Sequence, residues 1–94
     1  MPCDGRLLIE GRAGIHFRTR FRQRSISYMI SFEELIDRVE RAYRIGAIKR
    51  DERHKGIAGP RYRVEIPLDD TKIVVIVEKT ERCLLSITLW PEEP

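Results

Sequence analysis

Ninety-four residues with 41% hydrophobic content supply one small core, because a chain of this size buries only about two-thirds of its unfolded surface, and no second core fits. Eighteen bases against fifteen acids leave a net charge of +3, too small by itself to mark a nucleic-acid protein. Two cysteines, Cys3 and Cys83, lack the number and spacing of a disulfide framework or a zinc site and are expected as free thiols.

No apolar run approaches the roughly 18 residues of a membrane span, and the opening MPCDGR lacks the apolar stretch of a signal peptide. A cytoplasmic protein with no membrane partner is therefore expected, folded as a single domain over residues 1–94 with residues 1–6 as a flexible N-terminus. Charge is unevenly spread. Residues 1–24 hold six arginines against Asp4 and Glu10, residues 47–65 hold six bases against three acids, and residues 66–94 hold three bases against six acids.

The first patterned stretch, IHFRTRFRQR over residues 15–24, sets an arginine at every second position from Arg18 to Arg24, with His16 in the same register. As a strand it turns Ile15, Phe17, Thr19 and Phe21 inward and His16, Arg18, Arg20 and Arg22 outward. As a helix it stacks Phe17 on Phe21 one turn apart and aligns His16, Arg20 and Arg24 in one row. Strict alternation, with Gly11 and Gly14 reading as a turn after RLLIE, favours a strand in a hairpin; residues 15–24 stay open between strand and helix.

SFEELIDRVERAYRIG follows with Phe32, Leu35, Ile36, Val39, Ala42 and Tyr43 on one helical face. Ser31 and Glu34 form a capping box, Gly46 suits the helix end, and Glu34–Arg38, Asp37–Arg41 and Glu40–Arg44 are spaced for ion pairs one turn apart. A polar connection, AIKRDERHKGIAGPR, leads to three predicted strands. YRVEI alternates, KIVVIVEK is apolar on both faces as in a central strand, and CLLSITLW is expected to stop at Pro91. The expected fold is α+β: one main amphipathic helix packed on an antiparallel sheet with a C-terminal three-stranded meander.

No carboxylate pair, Cys–His arrangement, glycine-rich phosphate loop or metal-ligand spacing stands out, so neither a cofactor nor a metal is expected. What remains is the vocabulary of phosphate recognition. Guanidinium groups grip phosphates with paired hydrogen bonds and stay charged, and a histidine beside them can move a proton near neutral pH. His16, Arg20 and Arg24 are the candidate catalytic residues of a metal-independent ribonuclease acting through the RNA 2′-hydroxyl. Arg18, Arg22, Lys49, Arg50, His54, Lys55, Arg61, Tyr62 and Arg63 are the candidate phosphate contacts. A solvated charged face, structural histidines and a packing role for Trp90 are the plain alternatives.

The run HFRTRFRQRSIS, with His16, Arg20, Phe21, Arg24 and Ile26, resembles the H-x-x-x-R-(apolar)-x-x-R-x-I-S opening of small domains related to RelE-like and BrnT-like toxins. ISFEELIDRVERAYRIG, RYRVEIP, KIVVIVE and SITLW fill the later places of that pattern, so the resemblance covers residues 15–90. It implies a helical region on a curved antiparallel sheet, metal-free cleavage of RNA, often ribosome-associated, and an antitoxin partner. By position it makes His16, Arg20 and Arg24 the basic row facing RNA. The other class of function consistent with the residues is a non-catalytic interaction module, as in a phage or mobile-element accessory protein, binding a protein or nucleic acid, with homodimerisation through CLLSITLW if that strand lies at a sheet edge.

Overall fold

The basic segment is a helix. In the computed structural model, which describes residues 5–9, 11–51, 59–80 and 83–92, helix α1 spans Gly11–Gln23. Phe17 and Phe21 are buried on one side of it and meet the Phe32 ring edge-to-face at 5.9 and 5.1 Å, an arrangement that adds to the apolar area they bury. Ile15, which a strand would have turned inward, is 68% exposed. The turn expected at Gly11 and Gly14 is instead the first turn of α1. Gly14 permits a close crossing there, since a Cβ on it would lie 2.5 Å from the Ile9 carbonyl carbon.

A 3₁₀ turn, Ile26–Tyr28, links α1 to α2, and Ser25 before it takes a left-handed conformation with φ 59°. Helix α2 covers Phe32–Arg44, with the Ser31 side chain accepting the Glu34 N–H at 3.1 Å and Gly46 at φ 78° just beyond its end. Two of the three expected ion pairs form, Arg38–Glu34 at 3.1 Å and Arg41–Asp37 at 2.7 Å. Glu40, placed for the third with Arg44, instead accepts the backbone N–H of Leu7 at 2.7 Å. It thereby satisfies a donor on the outermost strand that would otherwise lack a partner.

The sheet has five strands in the order β1-β5-β4-β3-β2, formed by β1 (Leu7–Leu8), β2 (Lys49–Arg50), β3 (Arg61–Pro67), β4 (Lys72–Lys79) and β5 (Leu84–Glu92). The expected antiparallel meander is present as β3-β4-β5. Two details differ from expectation. Leu7–Leu8 makes no hairpin with the basic segment but pairs in parallel with the start of β5, Leu7 opposite Leu84. Pro91 does not end β5, which continues to Glu92; it faces Ile73 of β4, past the reach of β1, where a missing N–H is tolerated. CLLSITLW is therefore flanked by β4 and, at its start, by β1. A bulge leaves Ile87 between Ser86, which pairs with Val77, and Thr88, which pairs with Ile76, sharpening the twist of β5.

Both helices lie on one face. Phe17, Phe21, Ile26, Leu35 and Val39 form a core with Val64, Ile66, Ile73, Val75, Val77, Leu84 and Leu89; α1 packs chiefly against β5, and α2 against β3 and β1. The alternate residues of β4, namely Val74, Ile76 and Glu78, are buried too, although they point to the face that carries neither helix. Their cover comes from neighbouring strands, with Glu65 and Trp90 flanking Val74, and Arg63 and Thr88 flanking Ile76. Cys83, expected as a free thiol, is disulfide-bonded; Cys3 lies outside the described residues. No described helix is long and apolar enough to cross a membrane.

Candidate nucleic-acid interface

Opposite charges are paired along part of α2 and across the helix-free face of the sheet. On α2, Arg38 and Arg41 each reach back to an acid one turn earlier. On the helix-free face, Arg63 Nη2 donates to both carboxylate oxygens of Glu92, at 3.0 and 3.1 Å, and its guanidinium lies 5.9 Å from the centre of the Trp90 ring. Lys72 Nζ donates to Glu65 at 2.9 Å and lies 3.4 Å from Glu92. Arg61 stands 3.9 Å from the buried Glu78.

Two of these carboxyls, Glu65 and Glu92, are held below the ordinary carboxylate range. The Lys72 hydrogen bond, reinforced by the charges of Lys72, Lys49 and Arg63, holds Glu65 below its ordinary 4.5. Hydrogen bonds from Trp90, Arg63 and Lys72 do the same to Glu92, and Glu65 in turn raises Lys72 above 10.5. A carboxyl with a depressed folded-state pKa stabilises above its unfolded value and loses that contribution as pH falls through the folded one; the raised lysine contributes below 10.5 and fades as pH rises through its folded value. Thermal unfolding should therefore move to lower temperature below pH 4.5. Glu92→Gln should flatten that acid limb, whereas an unchanged limb would show that the network contributes nothing in solution.

Helix α1 is different. Its sequence, GRAGIHFRTRFRQ, contains no acid, and none of Arg12, His16, Arg18, Arg20, Arg22 or Arg24 has an ion-pair partner among the described residues. His16, Arg18 and Arg22 are exposed, Arg20 and Arg24 half-buried. Because the segment is helical, the bases do not share one face as a strand would have placed them. His16, Arg20 and Arg24 make one row at a spacing of four; Arg18 and Arg22 make another. The Arg18 guanidinium sits 4.8 Å from the centre of the Phe32 ring, a contact that fixes its direction.

The other sequence candidates are elsewhere. Lys49 and Arg50 are exposed on β2, the strand at the far margin of the sheet from β1. Arg61 and Arg63 belong to the helix-free face and face acids, so they are not brought to the α1 rows. Tyr62, between them, packs on the hydrophobic core. His54 and Lys55 lie outside the described residues. Among the described residues no group of three or more His, Cys, Asp or Glu side chains could hold a metal ion.

Sequence reasoning passed over Glu92, Glu65 and Trp90 as the partners of Arg63. The excess of acids after residue 65 was the available signal, but Arg63 and Glu92 are 29 positions apart and only the antiparallel register brings them together. Comparison with known proteins yields no matching family model, no similar curated protein and no similar solved structure.

Proposed function

We propose that this is an RNA-acting protein of the RelE-like kind, cytoplasmic, which grips the RNA backbone through α1 and cleaves it without a metal. One observation carries the reading: Arg38 and Arg41 on α2, and Arg61, Arg63 and Lys72 on the helix-free sheet face, stand against acids, while α1 presents its bases unmatched. Unneutralised arginines at helical spacing attract a polyanion and can make paired hydrogen bonds to successive phosphates.

In the proposed reaction His16 accepts the proton of a 2′-hydroxyl as that oxygen attacks the adjacent phosphorus. The bond from phosphorus to the 5′-oxygen breaks, the same proton passes to the leaving oxygen, and a 2′,3′-cyclic phosphate remains. Arg20 and Arg24, on the same row, stabilise the charge that builds on the phosphorane oxygens. An acidic, antitoxin-like partner would neutralise the protein by occupying the same helix.

One observation favours a non-catalytic binding module instead: no hydrogen bond among the described residues orients the His16 ring, and a general base is ordinarily aimed by such a bond. The experiment is incubation of the purified protein with ribosomes and messenger RNA, beside His16→Ala and Arg20→Ala. Wild type should cleave, and His16→Ala should reduce the rate by about 10²–10⁴. RNA left intact by folded wild-type protein would remove the catalytic reading and leave the binding module.

A further inference from the structure

We infer that α1 is shaped to lie between two phosphate chains, in the major groove of a B-form DNA duplex. The inference rests on reading α1 as a polyanion-binding helix, and it does not depend on RNA cleavage.

Each helical residue is turned by about 100° from the one before. The buried side of α1 is fixed by Gly14, Phe17 and Phe21. Relative to that side, His16, Arg20 and Arg24 lie about a quarter turn one way, and Arg18 and Arg22 about a quarter turn the other way. Arg24 keeps the helical path past Gln23, its N–H bonding to the Arg20 carbonyl at 3.0 Å. Ile15, Thr19 and Gln23, with Arg12, form the exposed crest opposite the core. A surface depression lined by Ile15, Arg18, Thr19, Arg22 and Gln23 joins the crest to one of the rows.

A single phosphate chain running along such a helix can meet only one row, since the two stand on opposite sides of it. Both are satisfied when a phosphate chain lies on each side. A helix with its side chains is about 10–12 Å across, which matches the roughly 12 Å major groove of B-DNA. The major groove of A-form RNA is too narrow to admit it. The crest suits a groove floor. Ile15 offers an apolar surface to a thymine methyl, and Gln23 carries the amide that pairs with adenine. The Thr19 hydroxyl donates to the Ile15 carbonyl at 2.8 Å, which leaves its oxygen free to accept.

The test is fluorescence anisotropy of the full chain with a labelled DNA duplex of two helical turns, one of its single strands, and an RNA duplex of the same sequence, across a salt series. The DNA duplex should bind about tenfold or more tightly than either of the others, with a log–log salt slope near −3.6 for four arginines at about 0.9 each. Arg18→Ala with Arg22→Ala, and separately Arg20→Ala with Arg24→Ala, should each flatten the duplex slope by about 1.8. Because Arg18 also packs on Phe32, Arg22→Gln alone serves as a milder variant, expected to flatten it by about 0.9. Equal affinity for the single strand, preference for the RNA duplex, or dependence on only one of the two rows would overturn the inference. Duplex selectivity without RNA cleavage would sink the ribonuclease reading alone, and cleavage without duplex selectivity would sink this one alone.

Discussion

Phe17→Ala is expected to lower the unfolding free energy by about 3–5 kcal/mol, a large share of the roughly 5–15 kcal/mol that holds a small domain together. Phe17 is fully buried and, with Phe21, is a residue through which α1 reaches both the core and the Phe32 ring. Its removal leaves a cavity bounded by α1, α2 and the sheet, which cannot all close on it together. The denaturant midpoint measures the effect, and Phe17→Leu, which keeps most of the volume, should cost less than the alanine change. A loss under about 1 kcal/mol for the alanine variant would mean that α1 is not seated as described. The consequence reaches function, because the arginine rows have fixed bearings only while α1 is held against the sheet.

Gly14→Ala should be destabilising by about 1–3 kcal/mol, the reverse of the gain of about 1 kcal/mol that the same change ordinarily gives inside a helix. The new methyl would stand 2.5 Å from the carbonyl carbon and 2.9 Å from the carbonyl oxygen of Ile9. These are backbone atoms, which cannot swing aside as a side chain can, so α1 would have to slide away from the strand that leads into it. The sign of the change is the observable. A stabilised Gly14→Ala protein in thermal or denaturant unfolding would show a wider gap between Ile9 and α1.

Helix α2 and the meander were legible because each carries several independent local signals that agree. Ser31 caps, Gly46 ends, the apolar face repeats at helical spacing, and the β-branched run from Lys72 to Lys79 has turn residues before and after it. The segment from Ile15 to Arg24 defeated the same approach for a specific reason. A separation of four, as between Phe17 and Phe21, is one turn of a helix and also two repeats of a strand, so both templates accept it. The choice is settled only by contacts that the alternation does not show, Gly14 against the Ile9 backbone and Phe17 and Phe21 against the Phe32 ring. The basic character of the candidate site was plain in the composition, but its division into two rows follows from helicity alone. Arg63 read as a free cation because nothing near it in the chain shows Glu92 waiting across the sheet.

The parallel pairing of β1 with β5 has a kinetic side. Ser86 donates to the carbonyl of Leu8 at 3.1 Å across 78 positions of chain, and α1, which begins just after β1, finds its main packing surface on β5. Closing so long a loop is entropically expensive before its contacts are made. The meander and α2, built from neighbours in sequence, should form first, with α1 docking late. Until that step the most cationic helix of the protein has no fixed surface beneath it, and the two lines of arginine that give it a direction do not yet exist.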